Sequence, residues 1–104
     1  MEKVLEVVRR FREERDWGQF HTPENLAKSI SIEAGELLEQ FQWNNTYDKE
    51  ATAEELADVF VYCIHMADAI GVNLEDIILK KMEKNAKKYP VEKAKGNSKK
   101  YTEL

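Results

Sequence analysis

At 104 residues the chain has material for one hydrophobic core and not for two. A net charge of −4 with 35% charged residues, and no apolar run of bilayer length, argue against an integral membrane helix. The single cysteine, Cys63, excludes an intrachain disulfide framework, and the charged start Met1-Glu2-Lys3 shows no signal-peptide pattern, so a cytoplasmic protein is expected.

Residues 2–16 form the first predicted helix. Val4, Leu5, Val7, Val8 and Phe11 make its apolar stripe among charged residues. The pattern breaks at Asp16-Trp17-Gly18-Gln19, with Gly18 as the punctuation. The second helix starts clearly: Thr22 is suited to cap it, Pro23 to its first position and Glu24 to its N-terminal dipole. It is predicted to run to about Trp43, with Leu26, Ile30, Leu37, Leu38 and Phe41 inward and Glu33 lying along that stripe.

A loop is expected from Asn44 to Asp48, then a third helix from about Thr52 to Ile70. Its centre, Leu56 to Ala67, is apolar almost all round, which predicts burial on most sides. A bundle this small buries such a helix with difficulty, so a subunit interface is expected along it. Asp58 interrupts the run, and a buried carboxylate without a partner is costly, so Asp58 is expected to need a cation, a donor or a proton, and a metal would supply the first. Gly71 follows the third helix and Asn73 caps a fourth, Leu74 to Lys88, which Tyr89-Pro90 ends.

Charge is uneven along the chain. Residues 80–104 hold nine Lys against three Glu, leaving an acidic body. Such an end is a solvated surface, a nucleic-acid arm or a means of meeting an anion. Residues 91–104 are polar and expected to be mostly irregular, a basic tail on a domain of residues 1–90, ordered in part through Tyr101 and Leu104.

The chemistry concentrates in two acid-x-x-acid pairs, Glu33/Glu36 and Glu55/Asp58, on the second and third helices. Spacing of three puts both carboxylates of a pair on one helix face. Two such faces turned together gather four like charges, which is unfavourable unless a cation compensates them or some keep a proton. Carboxylate oxygens are hard ligands that suit Mg²⁺ or Mn²⁺, so a divalent-metal site acting on phosphates is expected. Trp17 and Trp43 are either core packing or a stacking sandwich for a flat base. Tyr62 lies four residues after Asp58, where its hydroxyl either reaches an anion on the metal or packs at the rim. His21 reads as a turn residue and His65 as a core or interface histidine. Lys81, Asn85 and Lys88 form one stripe of the fourth helix, either solvated or contacting phosphate and sugar.

These residues stand in segments that carry a resemblance. R-D-W-G-Q-F-H at Arg15 to His21, E-A-G-E-L at Glu33 to Leu37, F-Q-W at Phe41 to Trp43, E-E-L-A-D-V at Glu54 to Val59, N-A-K-K-Y-P at Asn85 to Pro90 and S-K-K-Y-T-E-L at Ser98 to Leu104 occur in one order. The chain thus resembles the all-α nucleoside triphosphate pyrophosphohydrolases of the MazG-like superfamily, and within it the dCTP pyrophosphatase branch. The resemblance implies a four-helix-type subunit in an intertwined dimer or tetramer. It implies Mg²⁺-dependent hydrolysis of a nucleoside triphosphate to monophosphate and pyrophosphate. The nucleotide and further copies of the chain are the expected partners, with no membrane, and nucleic acid is not the expected one. The resemblance places metal on Glu33, Glu36, Glu55 and Asp58. Trp17, His21, Trp43, Tyr62 and Asn85 would surround the nucleoside, and Lys81 and Lys88 would approach the phosphates. The loop from Asn44 to Ala51 is shorter than in animal members and follows Trp43, which bears on base selectivity. Two other readings stay open: hydrolysis of another nucleotide, such as a purine triphosphate or phosphoribosyl-ATP, and a non-catalytic helical module that binds nucleic acid through the lysines.

Overall fold

A computed structural model describes residues 1–43 and 45–104. Five helices follow in order: α1 (Glu2–Glu14), α2 (Pro23–Glu39), α3 (Lys49–Ile70), α4 (Leu74–Lys88) and the single turn α5 (Val91–Ala94). Short 3₁₀ turns occupy Trp17–Phe20 and Tyr101–Glu103, and the described residues contain no strand. The all-α expectation therefore holds. None of the described helices is long and apolar enough to cross a membrane.

The chain divides into two compact units, Met1–Gly71 and Val72–Leu104. In the first, α2 packs along α3, and α1 packs on α3 and on the Trp17–Phe20 turn. The α2–α3 pair is antiparallel, because Glu33 meets Glu55 and Asp58 while His21, just before α2, meets His65 further along α3. Leu26, Ile64 and Ala67 are its fully buried apolar side chains among the described residues.

Helix starts follow the caps. The Asn25 N–H donates to Thr22 Oγ1 at 3.2 Å, and Pro23 occupies the first turn, where its missing N–H costs nothing. The Ala51 N–H donates to Asp48 Oδ1 at 3.0 Å, so α3 begins three residues before the expected Thr52. The acid read as loop is the cap. The expected loop also includes Asn44, which lies outside the described residues.

Two boundaries differ from expectation for local reasons. α2 ends at Glu39 and not at Trp43, because the N–H groups of Gln40, Phe41 and Gln42 bond three residues back, to Leu37, Leu38 and Glu39. That tightening carries Phe41 out of the helix and onto the Tyr47 ring, 5.2 Å between centroids. The chain reversal after α1 uses Asp16, at φ 54° and ψ 36°, rather than Gly18. An aspartate tolerates this left-handed conformation better than most residues, and Gln19 Nε2 braces it by donating to the Asp16 carbonyl at 3.0 Å.

Gly71 closes α3 at φ 74° and ψ 39°, as its position suggested. No atom obstructs an added Cβ there, so Gly71→Ala should cost only the left-handed backbone penalty of about 1 kcal/mol. A urea melt measures this, and a cost above about 3 kcal/mol would point to a packing role instead.

α3 is less enclosed than its composition suggests. Leu56 and Phe60 are 57% and 42% exposed in the single chain. Asp58 is exposed as well, which corrects the expectation of a buried carboxylate there. The apolar run of α3 outside the α2 seam is thus partly open to solvent. In the second unit, α4 starts at the Asn73 cap, whose Oδ1 accepts from the Asp76 N–H at 3.0 Å. Tyr89 meets Tyr101 edge-on at 6.0 Å, and Lys88 Nζ sits 4.8 Å above the Tyr101 ring. Tyr101 thus helps order the end of the chain, as expected, and α5 adds a helical turn where irregular chain was expected.

Candidate active site

The seam between α2 and α3 gathers acids. Carboxylate oxygens of Glu33, Glu55 and Asp58 lie within 4.8 Å of one another. Glu36 comes within hydrogen-bonding reach of both Glu33 and Glu55, a bond that exists only while one carboxyl of the pair keeps a proton. Burial, then Glu36, then the charges of Asp58 and Glu55 push the Glu33 carboxyl up to about 7. Burial and the same neighbours raise Glu55, with Glu39 contributing from the end of α2.

Glu33 Oε2 and Glu55 Oε2 are buried and accept no hydrogen bond. Buried carboxylate oxygens without donors are costly, and here two converge with a third acid open to solvent. That donor set fits a hard divalent cation. The argument made for Asp58 from the sequence therefore applies to Glu33 and Glu55, while Asp58 forms the open side of the cluster.

A second feature lies beside the first. Trp17, Phe20, His21, Asn25, Leu26, Ser29 and Tyr62 line a cavity of about 280 Å³. Along α2, Ser29 precedes Glu33 by four residues. Along α3, Asp58 precedes Tyr62 by four. One helical turn, about 5.4 Å, thus separates cavity from carboxylates on both helices. Trp17 is steadied by an edge contact with Phe11, 5.6 Å between centroids. Asn25 secures the turn beneath it by donating to the Phe20 carbonyl at 3.0 Å. Asn25 and Ser29 were not among the residues singled out from the sequence. Their spacing of four on α2 was the available signal, and it is also the signal of any polar helix face.

Behind the cavity stands His65, only 5% exposed. The expectation of a satisfied core histidine holds. Arg12 Nη1 lies 3.2 Å from His65 Nδ1. A guanidinium always donates, so Nδ1 accepts, and the proton of the neutral ring sits on Nε2. Arg12 also donates to Asp68 at 2.8 Å, and Arg9 holds Asp68 with two bonds, at 3.1 and 2.8 Å. Burial first, then His21 and Arg12, push His65 down to about 4, against a small opposing effect of Asp68. Burial and Arg12 likewise lower His21.

This neutral histidine has a signed consequence. The folded value lies below the ordinary 6.5, so the unfolded chain takes up the proton first as pH falls. The associated stability is fully present above pH 6.5 and is lost as pH falls toward 4. Between pH 7.5 and pH 5 the wild type should lose about 2 kcal/mol more than His65→Gln. Urea melts at the two pH values check this, and equal losses would mean that the ring is not held neutral.

Four candidates from the sequence remain. Trp43 is 86% exposed. Lys81, Asn85 and Lys88 lie on α4 in the second unit, where the Asn85 amide faces Met82 Sδ at 3.8 Å.

Comparisons with known proteins bear on the fold and the family. A sequence model of the MazG-like family matches residues 28–104. Human dCTP pyrophosphatase 1 is 40% identical over 117 aligned positions, covering 99% of this chain and 69% of that protein, and the mouse protein is 38% identical over the same extent. The crystal structure of a pyrophosphatase from Archaeoglobus fulgidus superposes with a TM-score of 0.77 at 44% identity, covering 86% of this chain and 92% of that one. Fold and relatives together define an enzyme of the all-α pyrophosphatase class. The chain belongs to the MazG-like family.

Proposed function

We propose that this enzyme is a nucleoside triphosphate diphosphatase that hydrolyses dCTP, or a base-modified dCTP, to the monophosphate and pyrophosphate. The observation that carries this reading is the adjacency just described: a cavity with aromatic walls one helical turn from carboxylates that have no donors. A nucleoside in the cavity directs its phosphates along the helix pair toward the acids. The relatives' printed activity, dCTP pyrophosphatase, supports the choice of substrate.

Glu33, Glu55 and Asp58, with Glu36 beside them, would hold Mg²⁺, and Mn²⁺ suits the same donors. The ion supplies compensation for the charge of the triphosphate and of the departing pyrophosphate. Trp17 and Tyr62 contact the base or sugar. His21, held neutral, offers hydrogen bonding without adding charge there. Trp43 is proposed to cover the base, Asn85 to contact sugar or base, and Lys81 and Lys88 to meet phosphate oxygens. Glu36 is proposed to orient a water and draw its proton, from its place beside Glu33 and Glu55. The water attacks the α-phosphorus in line, and pyrophosphate leaves.

Self-association as a dimer or tetramer is part of the reading. Val4, Val7 and Phe11 on α1 and Leu56 and Phe60 on α3 are more exposed than a monomer of this size favours. We place the activity in the cytoplasm, where it would clear surplus or modified deoxynucleotides ahead of DNA synthesis. Release of pyrophosphate against orthophosphate from a panel of deoxynucleoside and nucleoside triphosphates, with and without Mg²⁺, tests the whole. Metal-dependent pyrophosphate strongest with dCTP is expected. Pyrophosphate strongest with another triphosphate would keep the reaction and move the substrate, and turnover of none would overturn the reading.

A further inference from the structure

We propose that His65 is a positioning residue for the substrate cavity: anchored by Arg12 and Asp68, it fixes the orientation in which His21 faces a bound nucleoside. The proposal rests on the assignment of His21 to the nucleoside made above.

Three observations carry it. First, the His21 ring packs on the His65 ring, 4.4 Å between centroids at a tilt of 44°. Second, His21 Nδ1 is buried and has no hydrogen-bond partner, so no polar contact at that atom sets the angle of the ring. Packing against His65 does so instead. Third, the space behind His21 is open. A cavity of about 170 Å³, bordered by Arg12, Gly18, Asp68 and both histidines, gives the ring somewhere to turn if its support is lost.

The support itself is well fixed. Arg12 has only donors to offer, and it divides them between His65 Nδ1 and Asp68. Tyr62 meets the His65 ring edge-on at 5.8 Å from the preceding turn of α3. His65 is thus held at Nδ1 and packed by Tyr62, and it passes that order to His21, whose Nδ1 has no partner. Ordering a contact group before the substrate arrives lowers the cost of binding and leaves the chemical step untouched.

The test is a kinetic cycle with dCTP as substrate, using His65→Ala, His65→Asn, His21→Ala and the double variant His21→Ala/His65→Ala. It is joined by ¹⁵N imidazole spectra of the nucleotide-free, metal-free protein. His65→Ala should raise KM about tenfold with kcat within about twofold, and His65→Asn, whose Oδ1 stands where Nδ1 accepts from Arg12, should recover most of the loss. In the His21→Ala background the further change in KM should shrink to about twofold or less. The His21 imidazole signals of His65→Ala should shift and broaden without nucleotide. Where His65→Ala does not fold, Asp68→Asn loosens Arg12 without hollowing the core and takes its place with the same expectations. A KM sensitive to His21→Ala but not to the support variant overturns this proposal alone. So does a KM change of the same size in the His21→Ala background. A KM insensitive to His21→Ala overturns the nucleoside assignment, and this proposal with it.

Discussion

Glu33→Gln should abolish pyrophosphate release and at the same time make the metal-free protein more stable. Both effects have one cause. Glu33 shares a seam with Glu36, Glu55 and Asp58, its Oε2 is buried without a donor, and burial with like charge pushes it up to about 7. Its folded value therefore lies above its unfolded value, so stability on its account is highest below about pH 4.5 and declines as pH rises through 7. At pH 8 the native cluster holds a charge it disfavours. The neutral amide removes that charge, and allowing for solvent screening at this partly exposed site the gain should be about 1–2 kcal/mol.

The functional loss is larger. If Glu33 holds the metal as proposed, its carboxylate should be worth on the order of a thousandfold in turnover. Thermal melts with Mg²⁺ and with a chelator separate the two effects. The wild type should gain about 2–3 kcal/mol at a metal concentration near a hundred times Kd, and Glu33→Gln should gain almost nothing. A variant that kept the metal-dependent gain would show that the ion sits elsewhere.

The second large effect is structural and lies on the far side of the cavity. Asp68 is held by Arg9 and Arg12, and the two bonds to Arg9 and one to Arg12 tie α1 to α3. Hydrogen bonding to Arg9 is the main reason that the Asp68 carboxyl lies below its ordinary value. The Arg12 side chain is only 16% exposed, whereas that of Arg9 is 45% exposed. Asp68→Ala leaves Arg12 charged, largely desolvated and facing a neutral histidine. The cost should be about 3 kcal/mol, toward the lower end for a broken buried pair, or a Tm lower by roughly 10–20 °C for a chain of this length. Arg9→Ala should cost less than about 1 kcal/mol, because that partner is solvated. Calorimetry of the two variants decides the matter. Equal losses would mean that burial of Arg12 is not what gives the pair its weight.

Much of the helical outline is written locally. Thr22-Pro23, Asn73 and Gly71 mark helix ends because a cap or a left-handed residue acts within a few positions of itself, whatever the rest of the chain does. The acid pairs are legible for the same reason, since spacing of three places both members on one face of their own helix. Asp48 is not legible as a cap, because a capping acid and a loop acid are the same residue until the helix is seen. The end of α2 is not legible either, because a shift from four-residue to three-residue bonding leaves no mark in composition.

Local residue patterns are thus enough to establish an all-helical chain with two acidic faces and a basic end. Which carboxylates are buried without donors was settled by the way α2 lies along α3, and it moved the burden from Asp58 to Glu33 and Glu55. The link from Arg12 to His65 and Asp68 joins residues more than fifty positions apart, and the cavity draws Trp17 and Tyr62 from different segments. Such partners are invisible to spacing rules because burial and hydrogen bonding between segments depend on how helices meet, not on how each one winds.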